Sequence, residues 1–414
     1  MRKIKNYIKS KLGYNLAVKM SVFRRGTKYV FFNLFRINPN KVKYNLDTLR
    51  RDNCQVFFGY YDVSPFNKQG DMILSNSYSG GDKLDLGYFA LKANVYVFYK
   101  LSETSSWNYQ MGCRLQWLND GNFSSIIYND YSEGEFKAVV FDFKNKQIGN
   151  YFCKPIFAQA PNGMFYLSLD FTRLGRLRAG YGYNNIQDKS RHDLIPNDNG
   201  VWYVDMKSNV VKLLFSIEEV ANYLKRYDGE QYINHIMISP KSDKFIFFHV
   251  RNIGDKRIIT LLLFDINLGT FNLINNSGHI SHCNWIDNNK FIAYATEIDL
   301  GTGFIIYDIQ GEITLKKLIR NKMLKNDGHP TYNPIDNCFL IDTYPDKYGM
   351  QTLMKYNIDN DEVHIISKEF MPSKYFGEHR CDLHPRYSSS YDMIAIDSIE
   401  KGERVMKIKS NKLS

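Results

Sequence analysis

Between Gly377 and Tyr387 the chain sets two imidazoles (His379, His384), two guanidiniums (Arg380, Arg386) and two carboxylates (Glu378, Asp382) directly ahead of the alternating strand Met393–Asp397. Imidazole moves protons or ligates metals near neutral pH, and guanidinium grips a carboxylate through two parallel hydrogen bonds, so the stretch has the parts for acid–base work on an anionic ligand. His384 also has counterparts upstream. His235, His282 and His329 stand five residues before Pro240, Asp287 and Pro334, each followed by an apolar strand. His235 to His282 and His282 to His329 are both 47 residues, and His384 follows after 55. Tyr60, ahead of Pro65, and Arg114, ahead of Asn119, occupy matching places.

Such a period is the signature of a repeat architecture. Each unit continues into further strands, as in Ile258–Asp265 and then Gly269–Ile274, and four strands in about 47 residues is the content of one propeller blade. The connections are Asn, Asp and Gly turns, which disfavours parallel βαβ architecture. The expected fold is therefore all-β: a β-propeller of seven four-stranded blades over residues 54–414, behind a basic arm at 1–53. The third blade would run from Met164–Leu169 to Val201–Val204 and carry an insertion at about 170–200, with no identifiable marker residue. Only Ile217–Leu224 reads as helical within the body.

Charge is confined to the arm. The whole chain carries +11, but residues 1–51 hold 14 Lys and Arg against the single acid Asp47, which leaves the remainder close to neutral. A polyanion groove on the body is not implied, and no nucleic-acid partner is expected. Ile4, Ile8, Leu12 and Leu16 recur at helical spacing between lysines, which suits either an interfacial helix on an anionic membrane or a helix packed on the body. The six cysteines form no Cys-x-x-Cys pair, and neither a spanning apolar run nor a secretory signal is evident. The expected location is cytoplasmic, peripheral on the inner membrane.

In a propeller the first strand of each blade lines the axis, so Tyr60, Arg114, His235, His282, His329 and His384 would converge. His235, His282, His329 and His384 could hold a divalent metal, Mn or Zn. Arg114, Arg176, Arg178, Arg380 and Arg386, with Tyr183 and Asp382, are the candidates for an anionic substrate. The competing reading is structural: Gly278-His279 and Gly328-His329 have the dipeptide some propellers use only to tie one blade to the next.

The segments Gly328–Pro334, Asp342–Asp346 and Arg380–Tyr387 resemble the blade motifs of oligogalacturonate-lyase-like propellers, best over residues 235–397. The resemblance implies a seven-bladed propeller that cleaves uronate-containing saccharides by β-elimination at an axial site, with a divalent metal held by histidines. Where that family reads Gln-x-x-His-x-His, this chain has Cys381-x-x-His384-x-Arg386. In this light Arg114, Arg380 and Arg386 would face the substrate carboxylate, His329 or His384 would be the base, and Tyr60 or Tyr344 the acid. Two alternatives stay open: a non-catalytic glycan-binding or assembly component of surface-polysaccharide biosynthesis, and a protein-interaction propeller.

Overall fold

Phe245, Ile246, Phe247 and Phe248 are all at most 2% exposed, so this strand lacks the one-sided alternation of a sheet bounded by water. Both faces need cover, and neighbouring sheets supply it. The computed structural model describes residues 46–119, 124–311 and 313–410, and in it the strands form seven antiparallel four-stranded sheets ordered as blades of a propeller. Blade one runs from Gln55–Phe57 to Val95–Thr104, blade two from Gln116–Trp117 to Gln147–Phe152, and blade three from Ala158–Gln159 to Val211–Ser216. Blade four spans Glu230–Ile238 to Thr270–Gly278, blade five Ile280–Trp285 to Ile313–Leu318, and blade six Pro330–Asn333 to Val363–Phe370.

Blade seven is closed by the beginning of the chain. Its inner strands are Arg386–Tyr387, Met393–Glu400 and Glu403–Ser410, and its outermost is Asp47–Leu49, paired as Asp47 with Ile408 and Leu49 with Met406. The propeller thus takes in residues that the sequence reading counted with the arm. Leu49 is fully buried, and Thr48 and Arg50 bond Glu400 at 3.0 and 2.6 Å. The helix expected at Ile4–Leu16 lies outside the described residues. Among those described, no helix is long and apolar enough to cross a membrane.

Interblade packing is aromatic. Phe215 of blade three meets Phe245, Phe247, Phe264 and Phe271 of blade four at ring-centroid distances of 4.7–6.1 Å. Trp117 and Trp285 each send their indole N–H to a carbonyl of another blade's inner segment, Pro65 at 2.9 Å and Met237 at 3.0 Å. These bonds satisfy the polar end of a side chain whose body fills the core.

The insertion separates Phe165–Ser168 from Gly200–Asp205. It opens with helix α1, Phe171–Leu177, capped by the Asp170 carboxylate, which accepts from the Thr172 and Arg173 amides. A second helix, α2 at Ile217–Leu224, begins with a capping box between Ser216 and Glu219.

Candidate functional site

The inner strands begin in an unusual backbone conformation. Arg114, His235 and His384 have φ of 58°, 53° and 45°, a left-handed setting that costs a side-chain-bearing residue about 1–2 kcal/mol. In blade three, Ile156 stands three residues before Gln159, as Arg114 stands before Trp117 and His384 before Tyr387, and those three partners pair with matching residues of their second strands. Ile156 is therefore the unplaced marker. It is apolar and packs between blades with Ile127, Phe152 and Tyr166.

The four histidines do converge. Ring centroids lie 4.0 Å apart for His282 and His329, 4.4 Å for His329 and His384, and 6.0 Å for His235 and His282. The Tyr60 ring sits 5.0–6.4 Å from all four. Their hydrogen bonds divide them into roles. His329 Nδ1 donates to Asp342 at 2.8 Å, and His384 Nδ1 donates to the Gly59 carbonyl at 2.7 Å. The Nε2 atoms of both rings are buried and have no hydrogen-bond partner among the described residues. One ring nitrogen each of His329 and His384 and a carboxylate oxygen of Asp382 all lie within 4.8 Å of one another. Imidazoles held through Nδ1 with Nε2 free are what a metal centre requires of its ligands, and a lone buried nitrogen is otherwise costly.

His282 and His235 are engaged differently. His282 Nδ1 bonds Ser281 Oγ at 2.9 Å and Asp327 at 3.1 Å, while its Nε2 lies 3.5 Å from the Tyr344 hydroxyl. His235 Nε2 is 2.5 Å from the Tyr60 hydroxyl. Of the four histidines expected as ligands, His329 and His384 group with Asp382, while His235 and His282 lie outside that group.

Burial sets the protonation states. It pushes the Tyr60 and Tyr344 hydroxyls well above the ordinary phenol value, so both stay protonated. It also depresses His235, His384 and His282, helped by the charges of neighbouring imidazoles, which keeps these rings neutral. His329 is the exception. Burial, the largest single influence, acts against its charge, but the Asp342 carboxylate with those of Asp382 and Asp327 together outweighs it and raises the pKa.

The expected substrate arginines mostly have structural partners. Arg386 is fully buried, donates to the Gly59 and Tyr60 carbonyls and pairs with Asp397 at 3.0 Å, so it holds blade one to blade seven. Arg114 grips Asp62 with two bonds of 2.9 Å and also caps the Phe157 carbonyl. Arg114, Asp62 and Arg386 line a basin of about 990 Å³ among the turns joining first and second strands, and none of the four axial histidines reaches it. Arg176 pairs with Asp188 and Glu230. Tyr183 stacks on Phe171 at 4.6 Å, and its hydroxyl accepts from Asn129. His279 bonds Thr296 locally.

Arg380 and Arg178 remain with the axial group. Arg380 holds Asp382 through bonds of 2.6–2.8 Å and lies 4.7 Å over the Tyr344 ring. The sequence reading gave no role to Tyr61 or Asp327, and it offered Asp342 no role in orienting the imidazoles. Yet Asp342 and Asp397 each follow a marker histidine by thirteen residues and bond the lead-in amides of the next blade, His384 at 3.1 Å and Phe58 at 2.9 Å. That repeat was available in the sequence.

No protein-family model matches the chain, and no curated protein matches it in sequence. Solved structures do match in fold. An oligogalacturonate lyase from Vibrio parahaemolyticus superposes with a TM-score of 0.61 at 13% identity, covering 89% of this chain and 97% of the other. An oligogalacturonate lyase in complex with manganese gives 0.62 at 13% identity, covering 89% and 96%. A prolyl endopeptidase structure gives 0.52 at 9% identity, covering 87% of this chain and 47% of the other. At these identities the likeness is one of fold: this chain is a seven-bladed β-propeller, similar in architecture to oligogalacturonate lyases.

Proposed function

We propose that the chain holds a divalent cation, manganese in the first instance, on Nε2 of His329 and His384 and on Asp382, and acts there on uronate-containing saccharides by β-elimination. The observation that carries this reading is the pair of buried Nε2 atoms that have no hydrogen-bond partner among the described residues, on two rings that group with the Asp382 carboxylate. Asp382 moves in this reading from substrate contact to metal ligand. When bound, the cation would neutralise the uronate carboxylate and stabilise the negative charge that develops beside it.

The remaining residues divide the proton work. His282, kept neutral and oriented through Nδ1 by Asp327, presents Nε2 as the base that takes the proton next to the carboxylate. Tyr344, protonated and 3.5 Å from that nitrogen, donates to the departing glycosidic oxygen as the carbon–oxygen bond breaks, and recovers a proton from His282. His329 and His384, expected as bases, are occupied as ligands. Tyr60 is held by His235 and backs the cluster.

The test is incubation of manganese-loaded chain with oligogalacturonates, followed by ultraviolet absorbance of unsaturated products. Absorbance that rises with His384 intact and is lost on His384→Ala supports the reading. No unsaturated product from any uronic glycan, with stoichiometric metal bound, would count against it. The near-complete burial of the imidazoles favours a second reading, in which the site binds acidic saccharides without turnover. Binding without product would select it. The basic arm suits an anionic membrane as a further partner, checked by comparing vesicle sedimentation of the full chain with one starting at residue 46.

A further inference from the structure

Among the described residues the Arg178 guanidinium has neither a hydrogen bond nor an ion pair, and its one defined contact is the Tyr181 ring, 4.6 Å away. Tyr181 in turn packs on Tyr60 at 5.9 Å and on His235 at 5.6 Å, which places Arg178 beside the axial cluster. Every other arginine discussed above is committed to a carboxylate or to backbone carbonyls. A half-buried guanidinium that rests on an aromatic face has lost part of its hydration and keeps its hydrogen-bond donors open for an anion.

Its placement is rigid. Arg178 caps α1 and donates its backbone N–H to Leu174. Arg173 pins the insertion with bonds of 2.8–3.1 Å to the carbonyls of Gln231, Ser190, Asp193 and Leu194. Two close approaches fix the tip. A Cβ on Gly182 would fall 2.2 Å from the Gly175 amide nitrogen, and Gly180, at φ 88°, rests against Glu378 and Gln110. A charged group held in place before its ligand arrives loses little entropy on binding.

We propose that Arg178 is the residue that makes the axial site selective for a carboxylate-bearing sugar over a neutral one, by pairing with the ligand carboxylate. The proposal rests on the uronate reading above and names a specificity-determining residue for it. Arg380 cannot fill this role without releasing Asp382.

Calorimetric titrations of the full chain in metal-free buffer isolate the guanidinium from any cation. The probes are trigalacturonate, its methyl ester and, as a non-sugar diacid, malonate. The expected result is that wild type binds trigalacturonate and not the ester, that Arg178→Gln weakens acid binding at least about tenfold, and that Arg178→Lys recovers part of it. Arg191→Gln, an exposed charge in the same insertion, should bind as wild type does. Malonate binding lost with Arg178→Gln, with no trigalacturonate binding by wild type, would uphold the carboxylate site and overturn the uronate reading. Equal affinity of wild type and Arg178→Gln, or no binding of any carboxylate by wild type, overturns the proposal.

Discussion

Asp342→Asn is the substitution that most directly probes how the candidate ligands are held. The Asp342 carboxylate accepts from the His329 amide at 2.7 Å, from His329 Nδ1 at 2.8 and 3.0 Å, and from the His384 amide at 3.1 Å. Asparagine has the same shape but replaces one oxygen with an NH₂ group. In either orientation that group faces at least one N–H, and an unpaired buried donor costs about 1–3 kcal/mol. The misfit falls on the backbone and ring of the two residues proposed as ligands. Loss of such an orienting partner lowers metal affinity about 10–100-fold. Manganese titration followed by the resonance signal of the free ion would measure the affinity, and denaturant unfolding without metal would measure the stability cost. Affinity within about threefold of wild type in a chain that unfolds cooperatively would refute the reasoning, because Asp342 would then orient nothing the metal needs.

Three further outcomes follow from the packing. Arg386→Met should lower stability by about 3–5 kcal/mol, seen as a reduced denaturant midpoint, because Asp397 is left as an uncompensated buried charge; unchanged stability with selective loss of saccharide binding would return Arg386 to a substrate role. A chain starting at residue 51 should unfold more readily than one starting at residue 46, because it loses the closing strand and the burial of Leu49, worth about 1.5–3 kcal/mol for the side chain alone; equal melting of the two would contradict the closure. His249, bonded to Gln231 at 2.6 Å, is pushed down to about 3 by burial, with the Arg251 charge adding to the effect. The unfolded chain takes up a proton near the ordinary value of about 6.5, so the contribution of neutral His249 is complete above that pH and is lost as pH falls from 6.5 towards 3. The stability advantage of wild type over His249→Gln should therefore shrink by about 2 kcal/mol between pH 6.5 and 4.5, and a constant difference would show that His249 titrates normally.

Among residues the sequence reading had grouped together, the structure separates those that serve the site from those that hold the scaffold. Arg386 and Arg380 are six residues apart and chemically identical, yet one is locked under the Tyr60 backbone and the other lies over the Tyr344 ring beside Asp382. His282 and His329 share a repeat position. Their partners Asp327 and Asp342 lie 45 and 13 residues further along the chain and both bond Nδ1, so the rings differ at Nε2, which meets the Tyr344 hydroxyl in His282 and has no hydrogen-bond partner among the described residues in His329.

The blade period, the all-β class and the convergence of four histidines were legible in the chain itself, because a repeated unit that must bury both faces repeats its apolar strands and turns at a fixed interval. What could not be read were the partnerships between blades. A guanidinium in a sequence shows its charge but not its counter-ion, so Arg114, Arg176 and Arg386 looked like Arg178. The third marker was illegible because Ile156 is apolar, and strand Asp47–Leu49 because three residues carry too little pattern to show a strand. Folding brings those distant segments together, and only the folded ring shows that, among the described residues, the Nε2 atoms of His329 and His384 have no hydrogen-bond partner and the guanidinium of Arg178 meets no carboxylate.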